Sequence, residues 1–253
     1  MLNKRIIPVL LLRDKDLVHI TKFSMKNEIY IGDPINVINI FNEYHVDEMI
    51  ILDIGKSSDN SKIDFEFLSI IAGEAFFPIC YGGGITSAED SEKIIEAGFE
   101  KIIINNQNLI SLELSKKCIN RIGSQSVIAS IDIIEFNDEY FVYDYRKKSP
   151  TQINPKILIQ SLIEIGVGEI CITSTNLDGT MTGCNFKLIE SLDKFFKVPI
   201  IYKGGGGNYS DIKKVLNTKV SAFASSTIFV MKKPNSGIVL NYPSEKEKEI
   251  LYD

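Results

Sequence analysis

The sequence has few of the residues that build metal, disulfide and nucleophile sites. Its 253 residues include four cysteines and two histidines. The cysteines lie far apart and form no C-x-x-C pair, which excludes a zinc site or a disulfide framework of the usual spacing. No H-E-x-x-H signature, Walker loop or Ser/His/Asp triad is recognisable. We therefore expect reduced thiols, no bound metal and no cofactor. The four cysteines are Cys80, Cys118, Cys171 and Cys184.

Excess positive charge and long apolar runs are also missing. Lysine and arginine number 28 against 33 aspartates and glutamates, which gives a formal net charge of −5. A nucleic-acid binder relies on a basic field, which this balance does not supply. No apolar run reaches the roughly 18–20 residues of a membrane span, and the apolar start of the chain is too short for a signal peptide. We expect a cytoplasmic protein that binds neither nucleic acid nor membrane.

The rest of the composition is that of a globular protein, with 44% hydrophobic and 24% charged residues. Its length allows two average domains or one (β/α)₈ barrel of about 250 residues. Eight short β-rich apolar runs alternate with amphipathic segments, and no linker divides them. This alternation predicts one α/β domain over residues 1–253, a single (β/α)₈ TIM barrel. The runs lie near residues 5–12, 46–54, 77–82, 100–105, 126–133, 167–174, 198–203 and 220–226.

Helices are predicted over residues 34–45, 86–97, 108–121 and 155–165. Two connections, 13–33 and 134–152, are longer than the others, and the second has the pattern of a β-hairpin. The tail, 244–253, predicts a short solvated helix.

An internal repeat supports the barrel. FPICYGGGI at 77–85 aligns with VPIIYKGGG at 198–206, and VDEMIILDI at 46–54 aligns with VGEICITST at 167–175. Both pairs have the same offset, since 198 − 77 and 167 − 46 are each 121. A constant offset predicts two related half-barrels whose sites are nearly symmetric about the barrel axis.

Ligands bind barrels of this kind at the carboxyl ends of the strands. Glycine-rich loops follow the third and seventh predicted strands, at 82–84 and 204–207. Backbone N–H groups in such loops can cradle a phosphate, although glycines also simply permit tight turns. Two cradles at symmetric positions indicate a long ligand with a phosphate at each end. Polar residues end the fourth and eighth strands and can complete the cradles: Asn105, Asn106, Ser225 and Ser226.

Two carboxylates lie at the same end of the predicted barrel. Asp132 closes the fifth strand and Asp178 follows the sixth. A partly buried carboxyl at a ligand-binding mouth suits general acid or base catalysis, whereas the alternative is an ordinary turn-capping aspartate. The repeat predicts a partner for Asp132 at position 11, but that residue is Leu11.

Four charged residues begin predicted strands at the opposite end: Arg5, Glu48, Lys101 and Glu169. The alternation of side chains along a strand permits all four to point into the barrel. Buried charges are rarely left unpaired, so inward-facing side chains would form a net-neutral ring. The alternative is four unrelated surface charges.

The sequence resembles a known family through a set of motifs spread along nearly the whole chain. They are KRIIP, GDP at 32–34, DEMIILDI at 47–54, YGGGI at 81–85, GSQSV at 123–127 and GEICITSTNLDGT at 168–180. As a set they resemble the cyclase subunit of imidazole glycerol phosphate synthase. The resemblance implies a (β/α)₈ barrel that binds a substrate with two terminal phosphates. It also implies that a class I glutaminase docks on the barrel floor and that its ammonia travels through the barrel.

The resemblance also assigns residues. The second catalytic aspartate of the family falls on Asp132, but the first falls on Leu11, and a family lysine falls on His19. One phosphate site falls on Gly83, Gly84, Asn105 and Asn106, and the other on Asp178, Gly179, Gly205, Ser225 and Ser226. The family's ammonia gate falls on Arg5, Glu48, Lys101 and Glu169, all four unchanged.

The V-L-L-L start and the segment GIVLNYPSE at 237–245 resemble a divergent branch of the family. That branch is associated with acetamidino modification of surface sugars, together with a glutaminase and a sugar amidotransferase. Leucine can neither donate nor accept a proton, which favours this branch over a true cyclase. Three functions remain open: the cyclase (lyase) subunit of histidine biosynthesis, an ammonia-conducting subunit, and a phosphosugar isomerase, which would also need carboxylates at positions 11 and 132.

Overall fold

The computed structural model describes residues 4–59, 62–234 and 236–252. The predicted domain limits at residues 1 and 253 lie outside the described residues. Eight parallel strands form the centre of the fold: β1 (Arg5–Arg13), β2 (Met49–Asp53), β3 (Ile79–Gly82), β4 (Lys101–Ile104), β5 (Val127–Phe136), β6 (Glu169–Ser174), β7 (Ile200–Lys203) and β8 (Ala222–Ser225).

These strands close into a barrel. Each pairs in parallel with the next, and β8 pairs with β1 through Ile7 and Ala224. The predicted single (β/α)₈ barrel is confirmed. We call the carboxyl ends of the eight strands the mouth and their amino ends the floor.

Helices surround the barrel. They are α1 (Pro34–Glu43), α2 (Ile54–Asp59), α3 (Phe65–Glu74), α4 (Ala88–Glu96), α5 (Gln107–Ile110), α6 (Glu113–Ile122), α7 (Pro155–Glu164), α8 (Phe186–Leu192), α9 (Tyr209–Leu216) and α10 (Glu245–Tyr252). The predicted helix over 108–121 is two helices, α5 and α6, because the backbone is extended at Ser111. None of the helices in the described ranges has the length and hydropathy needed to cross a bilayer.

The strands are buried on both faces, which explains why they are continuous apolar runs in the sequence. Along β1, Ile6 and Leu10 belong to the outer core between strands and helices. Their neighbours Ile7, Val9 and Leu11 belong to a separate inner core that fills the barrel. The alternation therefore places every second residue of a strand, from floor to mouth, inside the barrel.

Both long connections form hairpins at the mouth. The predicted hairpin over 134–152 is confirmed: β5 runs on to Phe136 and pairs antiparallel with Glu139–Asp144. The connection over 13–33 contains two further strands, Asp16–Thr21 and Ser24–Gly32, which we call the mouth hairpin. Its first strand folds back antiparallel on the end of β1 and pairs Val18 with Leu11.

The chain ends in helix α10, as predicted, but the prediction that this helix is solvated is wrong for one of its faces. Lys248 and Leu251 are buried. The Lys248 Nζ donates to the His45 carbonyl at 3.1 Å and to Asp47 Oδ1 at 3.3 Å. Because Lys248 and Leu251 are three residues apart, they lie on one helix face, and that face packs beside the floor ends of β1 and β2.

Candidate functional site

The mouth contains a buried carboxylate on β5. Asp132 is 2% exposed and accepts a hydrogen bond at 2.8 Å from Nδ2 of Asn105, which follows β4. Strand register places Thr173 of β6 beside Asp132 on one side and beside Lys203 of β7 on the other. Burial raises the pKa of Asp132 to about 6, although Asn105 and the charge of Lys203 act in the opposite direction. Asp132 can therefore exchange a proton near neutral pH.

The position that the sequence repeat aligns with Asp132 lies in an apolar part of the mouth. Leu11 is the last residue of β1 in the inner core and is 4% exposed. Val18 and Ile20 of the mouth hairpin belong to the same inner core, and Leu52 packs against it. Position 11 thus provides no proton donor or acceptor to face Asp132.

An ion pair that the sequence analysis did not identify lies in the mouth. The Lys203 Nζ is 2.6 Å from Asp178 Oδ1, and both side chains are almost completely buried. The same Nζ lies 5.7 Å from the ring centroid of Phe23, in the turn of the mouth hairpin. Lys203 follows Ile201 by two residues, so the alternation along β7 could have placed it inside the barrel. Nothing in the sequence indicated that Asp178 would fold over it.

The second set of predicted phosphate ligands comes together around the loops after β6, β7 and β8. We call Asp178, Gly179, Gly205, Ser225 and Ser226 the second cradle.

Gly205 has a φ of +86°, and a Cβ at this position would lie 2.1 Å from the Gly183 carbonyl oxygen, so only glycine fits there. Ser225 Oγ accepts from the backbone N–H groups of Thr227 and Ile228 at 3.2 and 3.3 Å. Ser226 Oγ is buried and has no hydrogen-bond partner in the described part of the chain.

The mouth hairpin covers the second cradle. The backbone N–H of Lys22 donates to the Asp178 carbonyl at 2.9 Å. The buried His19 ring forms a hydrogen bond of 3.1 Å between Nε2 and Thr227 Oγ1, while its Nδ1 has no partner among the residues described. Burial lowers the pKa of His19; the charge of Asp178 opposes this effect and that of Lys203 adds to it. A neutral imidazole with one free nitrogen therefore lies beside the cradle.

The first set of predicted phosphate ligands is only partly assembled. We call Gly83, Gly84, Asn105 and Asn106 the first cradle. Gly83 has a φ of +121°, and a Cβ there would lie 2.3 Å from the Asp53 carbonyl oxygen.

The two asparagine side chains of the first cradle have different partners. Asn105 donates to Asp132, whereas Asn106 Nδ2 donates to Asp144 Oδ1 at 2.7 Å. The Arg146 Nη2 donates to the Asn106 carbonyl at 3.4 Å, which places a cation next to this cradle. Asn106 Oδ1 is buried without a partner within the described ranges.

The four charged residues at the strand starts form a closed arrangement, which we call the floor ring. Lys101 Nζ donates to Glu48 Oε1 at 2.9 Å and to Glu169 Oε1 at 2.7 Å. Arg5 Nη1 donates to Glu48 Oε2, and Arg5 Nη2 donates to Glu169 Oε2. Each carboxylate thus contacts both cations, and the alternative of unrelated surface charges is wrong.

The ring is largely shielded from solvent. Burial by itself would raise the pKa of Glu169, but hydrogen bonds and charge from Arg5 and Lys101 outweigh it and lower that pKa. Burial would likewise lower the pKa of Lys101, and the charges of Glu48 and Glu169 raise it instead. The ring therefore pairs two cations with two carboxylates, and its formal charges sum to zero.

The cysteines are free thiols, as expected from their spacing. Cys80 donates from Sγ to Glu48 Oε1 at 2.9 Å, directly above the floor ring. Burial raises the pKa of Cys171 to about 12. These buried thiols are protonated at neutral pH and contribute to the inner core of the barrel.

Comparison with known proteins gives consistent matches. The family model described as histidine biosynthesis protein matches residues 5–234. A Pseudomonas aeruginosa protein provisionally named imidazole glycerol phosphate synthase subunit hisF2 is 39% identical over 252 residues, 99% of this chain and 100% of that protein. A Leptospira interrogans protein, provisionally named subunit HisF of the same synthase, is 34% identical over 257 residues, 100% of both chains. The Staphylococcus carnosus imidazole glycerol phosphate synthase subunit HisF is 29% identical over 254 residues, 99% of both chains.

Proposed function

Because the chain belongs to the histidine biosynthesis protein family, among the HisF-like cyclase subunits, we propose that it is the cyclase-like subunit of a glutamine amidotransferase complex. In this proposal a class I glutaminase docks on the floor and releases ammonia there. The ammonia passes the floor ring, crosses the barrel and leaves at the mouth, where it is used for amidination of a surface sugar by a sugar amidotransferase. The complex acts in the cytoplasm.

One contrast carries the proposal: the floor ring is complete, whereas the proton-transfer pair at the mouth is not. All four ring positions hold the family's residues, and each carboxylate contacts both cations. At the mouth, Asp132 is buried and has a raised pKa, but Leu11 occupies the position of its partner. Ring closure and lyase chemistry need both a donor and an acceptor of protons. Passage of ammonia needs only the ring and the barrel interior.

The ring and the interior suit an uncharged small molecule. A net-neutral ring of fixed charges opposes the entry of a single ion, but a neutral molecule can pass if one side chain moves. Above the ring, the inner core is apolar and includes the small side chains of Ala222 and Ala224. Glu48 and Glu169 hold equivalent positions in the repeat, so the proposal includes a gate built by two related half-barrels.

The floor also exposes apolar side chains that a partner could cover. Phe76, in the connection between α3 and β3, is 86% exposed, and Tyr44, at the end of α1, is partly exposed. Both precede barrel strands and therefore lie at the floor end. Exposed aromatic residues are typical of protein interfaces. This supports docking of the glutaminase on the floor, next to the ring.

A second candidate function is the genuine cyclase (lyase) subunit of imidazole glycerol phosphate synthase. The retained Asp132 and two glycine loops favour it, as does the similarity to the Staphylococcus carnosus subunit along the whole chain. It requires that a group other than residue 11 supply the second proton-transfer step.

The test of the proposed function is a titration of this protein against class I glutaminases from the same genome, with glutamate release as the readout. We expect one of them to form a complex in which glutamine hydrolysis is faster than in the glutaminase alone. Phe76→Asp, on the exposed floor surface, should weaken that complex, and Phe136→Asp, exposed on the hairpin at the mouth, is the matched control. If none of these glutaminases binds, the proposal is wrong.

A further inference from the structure

The mouth contains a buried ion pair between Lys203 and Asp178, which is separate from the floor ring. We infer that Lys203 is an anion-binding residue of the second cradle, whose charge neutralises Asp178 and so allows the cradle to hold a phosphate group. The inference rests on the phosphate site predicted from the sequence at the second cradle, and it adds a residue and a charge requirement to that site.

The second cradle contains a negatively charged residue, which disfavours the binding of an anion. Asp178 belongs to the cradle, and its carboxylate is buried. A phosphate dianion near a buried carboxylate is strongly repelled, because charges interact at low effective dielectric there. Burial also lowers the pKa of His19, so its imidazole adds no positive charge at neutral pH. The ammonium group paired with Asp178 belongs to Lys203, at 2.6 Å.

The position of Lys203 fits this role. It is the last residue of β7 and directly precedes the glycines of the cradle loop. Strand register aligns Lys203 with Ala224, two residues before Ser226. The Lys203 Nζ also lies over the ring of Phe23 in the mouth hairpin. The ammonium group is therefore held between the loop after β7 and the hairpin that covers the mouth.

Unpartnered polar atoms indicate that the cradle is built for a ligand. Ser226 Oγ and His19 Nδ1 are both buried, and neither has a hydrogen-bond partner in the described residues. A buried hydroxyl or imidazole nitrogen without a partner is costly, so such groups are usually satisfied by a ligand or water. Both groups can donate to a phosphate oxygen. Thr227, next to Ser226, holds the other nitrogen of the same imidazole.

Substitutions of Lys203 and of Asp178 should change the affinity for phosphate in opposite directions. Lys203→Met removes the cation and leaves the carboxylate, so phosphate affinity should fall about tenfold or more. Asp178→Asn removes the carboxylate and leaves the cation free, so affinity should rise. The double variant Lys203→Met/Asp178→Asn contains neither charge and should bind within a few-fold of wild type. A pair that serves stability alone would not separate the two single variants by sign.

The experiment is an amide NMR titration with inorganic phosphate at constant ionic strength. Shifts of the Gly205 and Ser226 amides report the second cradle, and those of Gly83 and Gly84 report the first cradle in the same sample. Lys219→Met is the matched control, because Lys219 forms an exposed ion pair with Asp193 at 3.2 Å, away from the mouth. We expect it to bind phosphate as wild type does.

Three outcomes would overturn the inference: unchanged affinity in a folded Lys203→Met protein, weaker binding by Asp178→Asn, or no response of Gly205 and Ser226 in wild type. Lys203→Arg, which keeps the charge, and the double variant, which leaves no unpaired carboxylate, preserve the test if Lys203→Met does not fold. Glutaminase activation does not depend on this cradle. Activation of the glutaminase would be absent only if the proposed function itself is wrong.

Discussion

Glu48, which precedes β2, and Glu169, which begins β6, are joined through the same two cations. Lys101 bridges them with contacts of 2.9 and 2.7 Å, and Arg5 bridges them from the other side. Both carboxylates contact both cations. The ring is therefore a single electrostatic unit, and removing one member affects the remaining three.

Lys101→Ala should lower the free energy of unfolding by about 2–4 kcal/mol. Breaking a fully buried pair typically costs about 3–5 kcal/mol, and we expect somewhat less because Lys101 is 17% exposed. Denaturant unfolding measures the change. Lys116→Ala is the control, since Lys116 forms an exposed pair with Glu113 and should cost less than about 1 kcal/mol. Equal effects of the two substitutions would show that the ring is not a buried unit.

The same Lys101→Ala variant should alter the coupling between the two reactions of the complex. Without the ammonium group, the ring is open on one side and carries a net negative charge, so water can enter from the floor. We expect less amination for each glutamine hydrolysed, measured as the ratio of aminated product to glutamate. Phosphate binding at Gly205 and Ser226 should be unchanged, because the cradle lies at the other end of the barrel. An unchanged ratio would contradict the gate.

Much of this architecture could be predicted from local pattern. The eight apolar runs correspond to the eight barrel strands, and the alternation along β1 correctly places Arg5 on the same inward row as Leu11. Two signals together indicate the ring: its members share a position, the start of a strand, and all four match the family's gate residues. A strand start is visible in a sequence, and the barrel brings all strand starts together.

Contacts between distant loops could not be predicted in the same way. Asp178 pairs with Lys203 because the loop after β6 folds over the end of β7, and no local pattern specifies that path. Asn106 contacts Asp144 across the hairpin that follows β5. Lys248 is buried because helix α10 packs against Asp47, about 200 residues earlier in the chain. In each case the partner is fixed by tertiary packing.

Asp132→Asn should change how stability depends on pH. The pKa of Asp132 is raised from its ordinary value of 3.8 to about 6. The folded protein therefore keeps this proton after the unfolded chain has released it, and wild type loses stability as pH rises between these values. The loss amounts to about 3 kcal/mol at most. The asparagine variant lacks it, so its stability relative to wild type should increase from pH 4 to pH 7.

Denaturant unfolding at several pH values tests this sign. The lowered pKa of Glu169 acts in the opposite direction, since its contribution is lost on acidification, but both proteins share it and it cancels in the difference. Asp138→Asn, in the exposed turn after β5, controls for the loss of one carboxyl group. A pH-independent difference between Asp132→Asn and wild type would contradict a raised pKa at this site.

Gly83→Ala and Gly73→Ala should have opposite effects on stability. An alanine Cβ at position 83 would lie 2.3 Å from the Asp53 carbonyl oxygen, at a φ of +121°, which should cost about 2–4 kcal/mol. It should also abolish phosphate shifts at the first cradle. Gly73 lies in helix α3 with no atom within 4 Å of such a Cβ, so alanine there should stabilise by about 0.5–1 kcal/mol. Thermal unfolding and the NMR titration measure both effects.

Cyclase turnover distinguishes the two candidate functions, because Leu11 occupies the position of a proton-transfer group. The purified protein should show no cyclase turnover, or very little, with the ribulosyl-formimino substrate of the family and free ammonia. The loss of one acid/base group typically lowers a rate by about 10²–10⁴-fold. Turnover at the rate of a cyclase subunit with both aspartates would establish the cyclase function and disprove the proposed one.

Leu11→Asp should restore part of the cyclase activity. It places a carboxyl at the mouth end of β1, at the position related by the repeat to Asp132, where the pair of proton-transfer groups would again be complete. The new carboxyl replaces a side chain that is 4% exposed and packs in the inner core with Val18 and Ile20. Its pKa should therefore be raised by burial, and the variant should be less stable than wild type. Leu11→Asn introduces a similar polar group that cannot transfer a proton. A gain of turnover with aspartate and none with asparagine shows that the missing proton-transfer group limits the reaction, whereas equal activity of the two variants would show that it does not.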